Sequence, residues 1–276
     1  MVKSFQPELA AILRDTADLV LAHYHNQDFT ISDKDDDSPV TSADFEASEF
    51  LTRALNQLTP DIPVLSEEAI VPWAQRRNWD RYWLIDPIDG TQEFIDGSGD
   101  FAIAVALVEQ FRPVLGSIFW PTQQLLYQGM EGYGSQRVAF NAHGELQRER
   151  LQVRRLRVPS QDELVIAISR RQNHAKVASR MNTTRSIKQV KTGSCSLKAC
   201  LVAEGSADCF LRLGPTGEWD TGAAQVIVEQ AGGSLVSEHF QSITYNRTPS
   251  LANPNFIVLG DPRVDWVSVF PIGLQR

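Results

Sequence analysis

The most informative segment of the sequence is Asp86-Pro87-Ile88-Asp89-Gly90-Thr91, which directly follows the apolar residues 82–85. An apolar strand followed by this acidic turn places two carboxylates, three positions apart, where both can reach one cation. Pro87 fixes one backbone dihedral and Gly90 permits an unusual one, so the bend has a defined shape. Because oxygen-only ligands suit Mg²⁺, the segment predicts a magnesium site; by itself it leaves a solvated turn as the alternative.

Hydrophobic periodicity predicts two helices before this turn and a mainly antiparallel sheet around it. Apolar residues recur at helical spacing over residues 7–25. Thr41 and Asp44 have the spacing of a capping box at the start of a second helix, with Phe45 in its apolar stripe. Short strand-like segments separated by turns lie at residues 62–65, 82–85, 101–108, 113–119 and 125–128. If residues 90–94 form a short helix, its free N–H groups can hold a phosphate.

The second half of the chain predicts a further α/β unit. The polar residues 141–157 indicate an exposed excursion near a subdomain boundary. Beyond it we expect strands and helices at residues 164–168, 194–203, 209–213 and 219–231. The fold class is therefore mixed α/β, with an N-terminal subdomain of residues 1–155 and a C-terminal subdomain of residues 156–276.

Composition limits the function. The chain has 276 residues, of which 42% are hydrophobic and 22% charged, as is ordinary for a soluble globular protein. Its formal net charge of −8 argues against a nucleic-acid partner. Because its start lacks a continuous apolar stretch and no later run is long enough to span a bilayer, we expect neither a signal peptide nor a transmembrane segment. Its three cysteines fit neither a disulfide set nor a zinc motif. We expect a cytoplasmic protein; peripheral association with the inner membrane remains open.

Four motifs follow one another along the chain: Pro39-Val40-Thr41-Ser42-Ala43-Asp44, Ser66-Glu67-Glu68, Asp86-Pro87-Ile88-Asp89-Gly90-Thr91 and Glu218-Trp219-Asp220-Thr221-Gly222-Ala223-Ala224. In their residues and in their order they resemble the signatures of the inositol monophosphatase superfamily. The form Gly214-Pro215-Thr216-Gly217-Glu218-Trp219-Asp220 is similar to the bacterial 3′(2′),5′-bisphosphate nucleotidases. The resemblance implies a layered αβαβα sugar-phosphatase fold, a small phosphorylated substrate and removal of the 3′-phosphate from adenosine 3′,5′-bisphosphate. It also makes a homodimer a candidate assembly.

The resemblance also assigns roles to residues. It implies two or three Mg²⁺ ions, with Li⁺ as a competing inhibitor, held by Glu67, Asp86, Asp89, Asp220 and the carbonyl of Ile88. We hypothesise that one metal ion, with Glu67 and Thr91, holds the attacking water. Asp44 would accept a hydrogen bond from Thr91 or from a metal-bound water and so be a candidate partner in its deprotonation. Without the resemblance, Asp44 is equally well a helix cap and Asp220 a helix N-terminal acid.

Substrate contacts are expected from the metal motif, through Asp89, Gly90, Thr91 and Asp220, and from a second set of side chains. Lys198 and Arg212, with Ser194 nearby, are candidates for a second phosphate; the alternative is an ordinary solvated charge. Lys34 is either close to the metal loop or in a surface ion pair. Two other functions stay open: a phosphatase of the same superfamily acting on inositol or sugar phosphates, and a non-catalytic metal- or nucleotide-binding regulator.

Overall fold

The computed structural model describes residues 5–34, 38–141, 144–170 and 174–271. Within these ranges the helices are α1 (Gln6–Asn26), α2 (Ser42–Leu58), α3 (Trp73–Arg76), α4 (Thr91–Ile95), α5 (His174–Ala178), α6 (Cys195–Ala203), α7 (Trp219–Gln230) and α8 (Trp266–Val269). The strands are β1 (Ile31–Asp33), β2 (Pro39–Thr41), β3 (Val64–Ser66), β4 (Arg81–Asp89), β5 (Ala102–Glu109), β6 (Arg112–Trp120), β7 (Leu125–Met130), β8 (Gly134–Asn141), β9 (Gly144–Arg150), β10 (Leu164–Ser169), β11 (Ile187–Thr192), β12 (Cys209–Arg212), β13 (Ser234–Ser237) and β14 (Phe256–Leu259).

Two large sheets organise these elements. Strands β3 to β9 form a seven-stranded sheet in chain order, and only the β3–β4 pair is parallel. The second sheet has the order β11-β10-β12-β14-β13 and mixes parallel with antiparallel pairs. Strands β1 and β2 form a separate antiparallel ribbon. The predicted antiparallel sheet is confirmed, as is the mixed α/β class.

The buried clusters show five layers. Trp83 and Ile85 of β4 pack in one cluster with α1 and α2, whereas the alternate residues Tyr82 and Leu84 join a second cluster that contains α6 and α7. That second cluster also takes the inner side chains of the five-stranded sheet, and a third cluster covers its outer face with α8. The order is therefore αβαβα. Both faces of β4 are buried, which explains its nearly continuous apolar sequence.

Helix α7 lies in a trough in the seven-stranded sheet. Gly116 of β6 and Gly129 of β7 are direct cross-strand partners. A Cβ atom on Gly129 would stand 2.7 Å from the Cα of Ile227, and one on Gly116 would overlap the carbonyl oxygen of Ala223. The missing side chains therefore let the backbone of α7 approach the sheet closely.

Two expectations about exposure were wrong. Phe45 was expected in the apolar stripe of α2, but it is 47% exposed because the buried face of the helix runs through Ala43, Ala47 and Leu51. Residues 141–157 are not a simple exposed excursion. Strand β9 pairs with β8 at the edge of the sheet, and the chain then buries Leu151, Val153 and Leu156. The division after residue 155 stays a prediction.

Candidate metal centre

Strand β4 carries the acidic motif within its ladder rather than beyond its end. Asp86 pairs with Ala104 and Asp89 pairs with Ala102, so three steps on β4 oppose two steps on β5. In a regular strand, residues three apart would face opposite sides of the sheet. The extra residue is a bulge that returns Asp89 to the side of Asp86. This local irregularity allows both carboxylates to point toward α6 and α7.

Asp220 completes the cluster from the first turn of α7. Carboxylate oxygens of Asp86, Asp89 and Asp220 all lie within 4.8 Å of one another, and no other such acidic group occurs among the described residues. Burial, and then the neighbouring carboxylates, raise the pKa of Asp86 and of Asp220 well above the ordinary range. Three mutually repelling oxygen donors fit a hard divalent cation such as Mg²⁺. The structure thus brings together three of the four predicted acidic ligands.

Asp89 is also bound by the start of α6. Its Oδ2 accepts hydrogen bonds from Ser194 Oγ and from the backbone N–H of Ser196, both at 2.6 Å. Its Oδ1 accepts from the N–H of Cys195 at 3.1 Å. Helix N-termini favour negative charge, so these contacts stabilise the Asp89 carboxylate and fix its orientation. The sequence did not predict these contacts, although Ser194 has the signal of a helix N-cap.

Thr91 and Asp44 form the second part of the site. Gly90, with a φ of +98°, turns the chain from β4 into α4 and leaves Thr91 as its first residue. Thr91 Oγ1 lies 3.0 Å from Asp44 Oδ1 and 3.2 Å from the carbonyl oxygen of Ile88. Asp44 also caps the helix, because its Oδ2 accepts from the N–H of Thr41 in a complete capping box. The expected hydrogen bond from Thr91 is thus present beside the cap, and the role of Asp44 toward the base stays a prediction. Burial raises the pKa of Asp44.

Glu67 stands beside the cluster but is held by a lysine. Lys34 Nζ lies 2.7 Å from Glu67 Oε1 and 2.8 Å from Glu68 Oε1. Lys34 therefore forms a partly buried ion pair with a predicted metal ligand rather than an ordinary surface pair. Burial raises the pKa of Glu67, and its own N–H bonds the carbonyl of Ile85. The ligand role of Glu67 stays a prediction.

A cleft of about 310 Å³ joins these groups to the C-terminal half. It is lined by Glu67, Asp89, Gly90, Thr91, Ser194, Cys195, Lys198, Arg212 and Asp220, among others. Lys198 is not a solvated charge: it is 2% exposed, it donates to the carbonyl oxygens of Gly193 and Ser194, and burial lowers its pKa. Arg212 donates to the carbonyl of Pro215, while its Nε has no hydrogen-bond partner among the described residues. Their role toward a phosphate stays a prediction.

A five-layered α/β fold that gathers three carboxylates against its central helices defines a class of metal-dependent proteins. The chain belongs to the inositol monophosphatase family, whose model matches residues 4–258. It is 38% identical to the 3′(2′),5′-bisphosphate nucleotidase CysQ of Haemophilus influenzae over 251 residues, or 91% of each chain.

Solved structures show the same likeness. CysQ from Bacteroides thetaiotaomicron, a bacterial member of the family, is 33% identical and superposes with a TM-score of 0.74 over 92% of this chain and 97% of its own. An IMPase/NADP phosphatase complexed with Mg²⁺ and phosphate shares the fold at 16% identity, with a TM-score of 0.75 over 99% and 95% of the two chains. The resemblance found in the sequence is confirmed.

Proposed function

We propose that this chain is a Mg²⁺-dependent 3′(2′),5′-bisphosphate nucleotidase. It converts adenosine 3′,5′-bisphosphate and water to AMP and inorganic phosphate. The observation that carries the proposal is the cluster of Asp86, Asp89 and Asp220. Two of its members, Asp89 and Asp220, line one cleft with Thr91, whose hydroxyl lies 3.0 Å from Asp44. The names of the relatives support the nucleotide as substrate.

Asp86, Asp89 and Asp220 would hold the cation, with the carbonyl of Ile88 and the carboxylate of Glu67 as further oxygen donors. Mg²⁺ bound there supplies positive charge that offsets the repulsion between a nucleophile and the phosphate oxygens, and it makes water more acidic. The fixed hydrogen bonds on Asp89 hold its carboxylate in place before any ligand arrives.

Thr91 and Asp44 handle the proton of the attacking water. When the Thr91 hydroxyl donates to Asp44, its oxygen lone pairs face the cleft and can accept a hydrogen bond from water. The raised pKa of Asp44 makes its carboxylate a better proton acceptor. The water oxygen then bonds to phosphorus as the bond to the 3′-oxygen breaks. One proton of the water passes by way of the Thr91 hydroxyl to Asp44, and the leaving 3′-oxygen takes up a proton from solvent water.

Lys198 and Arg212 suit the other phosphate of a bisphosphate. Both side chains line the same cleft as Asp89, Gly90 and Thr91. A substrate with two phosphates presents two anionic groups, so one can lie at the carboxylate-bound cation and the other near these cations. A monophosphate would bring no second anionic group to Lys198 and Arg212.

Release of phosphate from three substrates tests this proposal. Adenosine 3′,5′-bisphosphate, inositol 1-phosphate and fructose 1,6-bisphosphate would each be assayed with and without Mg²⁺. We expect Mg²⁺-dependent release, with the highest kcat/KM for the nucleotide. Preference for the inositol ester would contradict the nucleotide assignment alone, and no metal-dependent release from any substrate would contradict the enzyme itself.

The setting of the reaction is also a proposal. Cys195, Cys200 and Cys209 all lie in described segments, where they are buried and free. Free thiols suit the reducing cytoplasm, where we place the protein. Among the described residues no helix has the length and apolar character needed to cross a membrane. The homodimer stays a prediction, which sedimentation of the purified chain would check.

A further inference from the structure

Arg76 is a buried cation that lies outside the cleft. It ends α3 and is 2% exposed. Its Nε donates to the carbonyl of Val71 at 3.0 Å, and its Nη2 donates to that of Pro249 at 2.5 Å. Its Nη1 donates to Asn246 Oδ1 at 2.5 Å and to the carbonyl of Thr248 at 3.2 Å. One guanidinium thus joins two segments about 170 residues apart in the chain.

The distant segment, residues 245–253, surrounds the start of α7, and we call it the collar. The backbone N–H of Asn246 donates to both carboxylate oxygens of Glu218, at 2.9 and 2.8 Å. The N–H of Glu218 in turn donates to the carbonyl of Leu251 at 2.8 Å. Asn253 Nδ2 donates to the carbonyl of Gly217. The collar therefore holds the two residues immediately before the first turn of α7.

Those two residues determine where Asp220 points. The N–H of Gly217 donates to Asp220 Oδ2 at 2.7 Å, and Glu218 is the N-cap residue of α7. A shift of the collar would move Gly217 and Glu218, and the Asp220 carboxylate would move with them. Arg76 itself is anchored in the chain between Glu67 and Asp86, so it ties the start of α7 to the half that carries the other acids.

We propose that Arg76 is a positioning residue for Asp220, acting through Asn246 and the collar. The proposal rests on the assigned metal role of Asp220, within the nucleotidase function proposed above. A guanidinium suits this task because its planar fork reaches four acceptors at once, whereas an ammonium group cannot. Metal ligands are commonly oriented by such outer contacts, whose loss lowers metal affinity.

The test compares Arg76→Lys with wild type by titrating the metal-free proteins with Mn²⁺ and following free Mn²⁺ by electron paramagnetic resonance. Mn²⁺ takes the same oxygen ligands as Mg²⁺. We expect Arg76→Lys to bind about 10–100-fold more weakly. Arg154→Lys is the control, since Arg154 likewise bonds more than one acceptor, the Asp208 carboxylate and the carbonyl of Glu163, and within the described part of the chain none of its hydrogen bonds goes to the collar. The control should bind Mn²⁺ like wild type.

A second variant separates positioning from stability. Asn246→Ala removes the side-chain hydrogen bonds between Asn246 and Arg76. It leaves in place the guanidinium, its bonds to the Thr248 and Pro249 carbonyls, and the backbone N–H that donates to Glu218. If both act along one path, Arg76→Lys with Asn246→Ala should weaken Mn²⁺ binding little more than either alone. Wild-type Mn²⁺ affinity in both single variants, with only a lower unfolding temperature, would overturn the proposal. Because this readout needs no turnover, it remains decisive even if wild type releases no phosphate from the nucleotide.

Discussion

Asp89→Asn is the substitution that tests the metal centre most directly. The carboxylate accepts three hydrogen bonds from the start of α6, and an amide can accept on one side only. If the remaining oxygen stays with Ser194 and Ser196, the new NH₂ faces the N–H of Cys195. One charge-assisted bond is lost, and the other two become weaker. We estimate a cost of about 2–3 kcal/mol from this loss.

Relief of repulsion opposes this cost. Asp86 and Asp220 stand within 4.8 Å of Asp89, and a pair of unit charges at that distance repels by about 3 kcal/mol at an effective dielectric of about 20. Burial and the neighbouring carboxylates raise the pKa of both neighbours, so the relief is smaller than this full value. The two effects nearly cancel. The metal-free variant should therefore unfold with a free energy within about 1 kcal/mol of wild type.

The difference should appear when the cation is added. Mg²⁺ at about 100 times its dissociation constant would stabilise wild type by about 2.7 kcal/mol, while a variant with about 100-fold weaker binding would gain only about 0.4 kcal/mol. Urea unfolding with and without Mg²⁺ measures this, and phosphate release should fall to background. Asp265→Asn is the control, because Asp265 also caps a helix, α8, but lies outside the cluster. Wild-type Mg²⁺ stabilisation and turnover in Asp89→Asn would refute the reasoning.

Three further changes probe other parts of the molecule. Thr91→Val should lower kcat by about 10²–10⁴-fold while Thr91→Ser keeps most activity, because only serine retains the hydroxyl; equal losses in steady-state phosphate release would contradict this. Gly116→Ala should lower the free energy of unfolding in urea by about 1–3 kcal/mol, because its methyl group overlaps the Ala223 carbonyl; unchanged stability would contradict the close seating of α7. Hydrogen bonds from Arg263 hold the pKa of Asp261 at about 2, below its ordinary 3.8. Ionised Asp261 therefore stabilises the fold above its ordinary pKa, and this stabilisation is lost as the pH falls from there toward the lower value. Asp261→Asn should therefore cost up to about 2 kcal/mol at pH 7, and its difference from wild type should shrink as the pH falls from about 5 to about 3; a constant difference would contradict the ion pair.

The sequence predicted well those features that depend on neighbouring residues. The capping box of Thr41 and Asp44 starts α2 where expected, because cap and partner are three residues apart. The helix containing Asp220 and the short helix after Gly90 also lie where expected. The residues that determine these features are close together in the sequence, so a short segment is enough to predict them.

Features that depend on distant contacts were missed. The bulge between Asp86 and Asp89 arises from pairing with Ala104 and Ala102, and no pattern within the motif reveals it. Arg76 lies in a polar stretch that gives no hint of Asn246 on the far side of the fold. The family motifs identified the acidic residues but could not show that Lys34 forms an ion pair with the Glu67 carboxylate.

The site depends on two positions beneath α7, Gly116 and Gly129, that have no side chain. A relative could keep every acidic motif and yet carry larger side chains opposite Ala223 and Ile227, and its Asp220 would then stand away from Asp86 and Asp89. A search by signature alone would accept such a chain as an enzyme. When new genomes are sorted, the two positions equivalent to Gly116 and Gly129 should therefore be read together with the carboxylates.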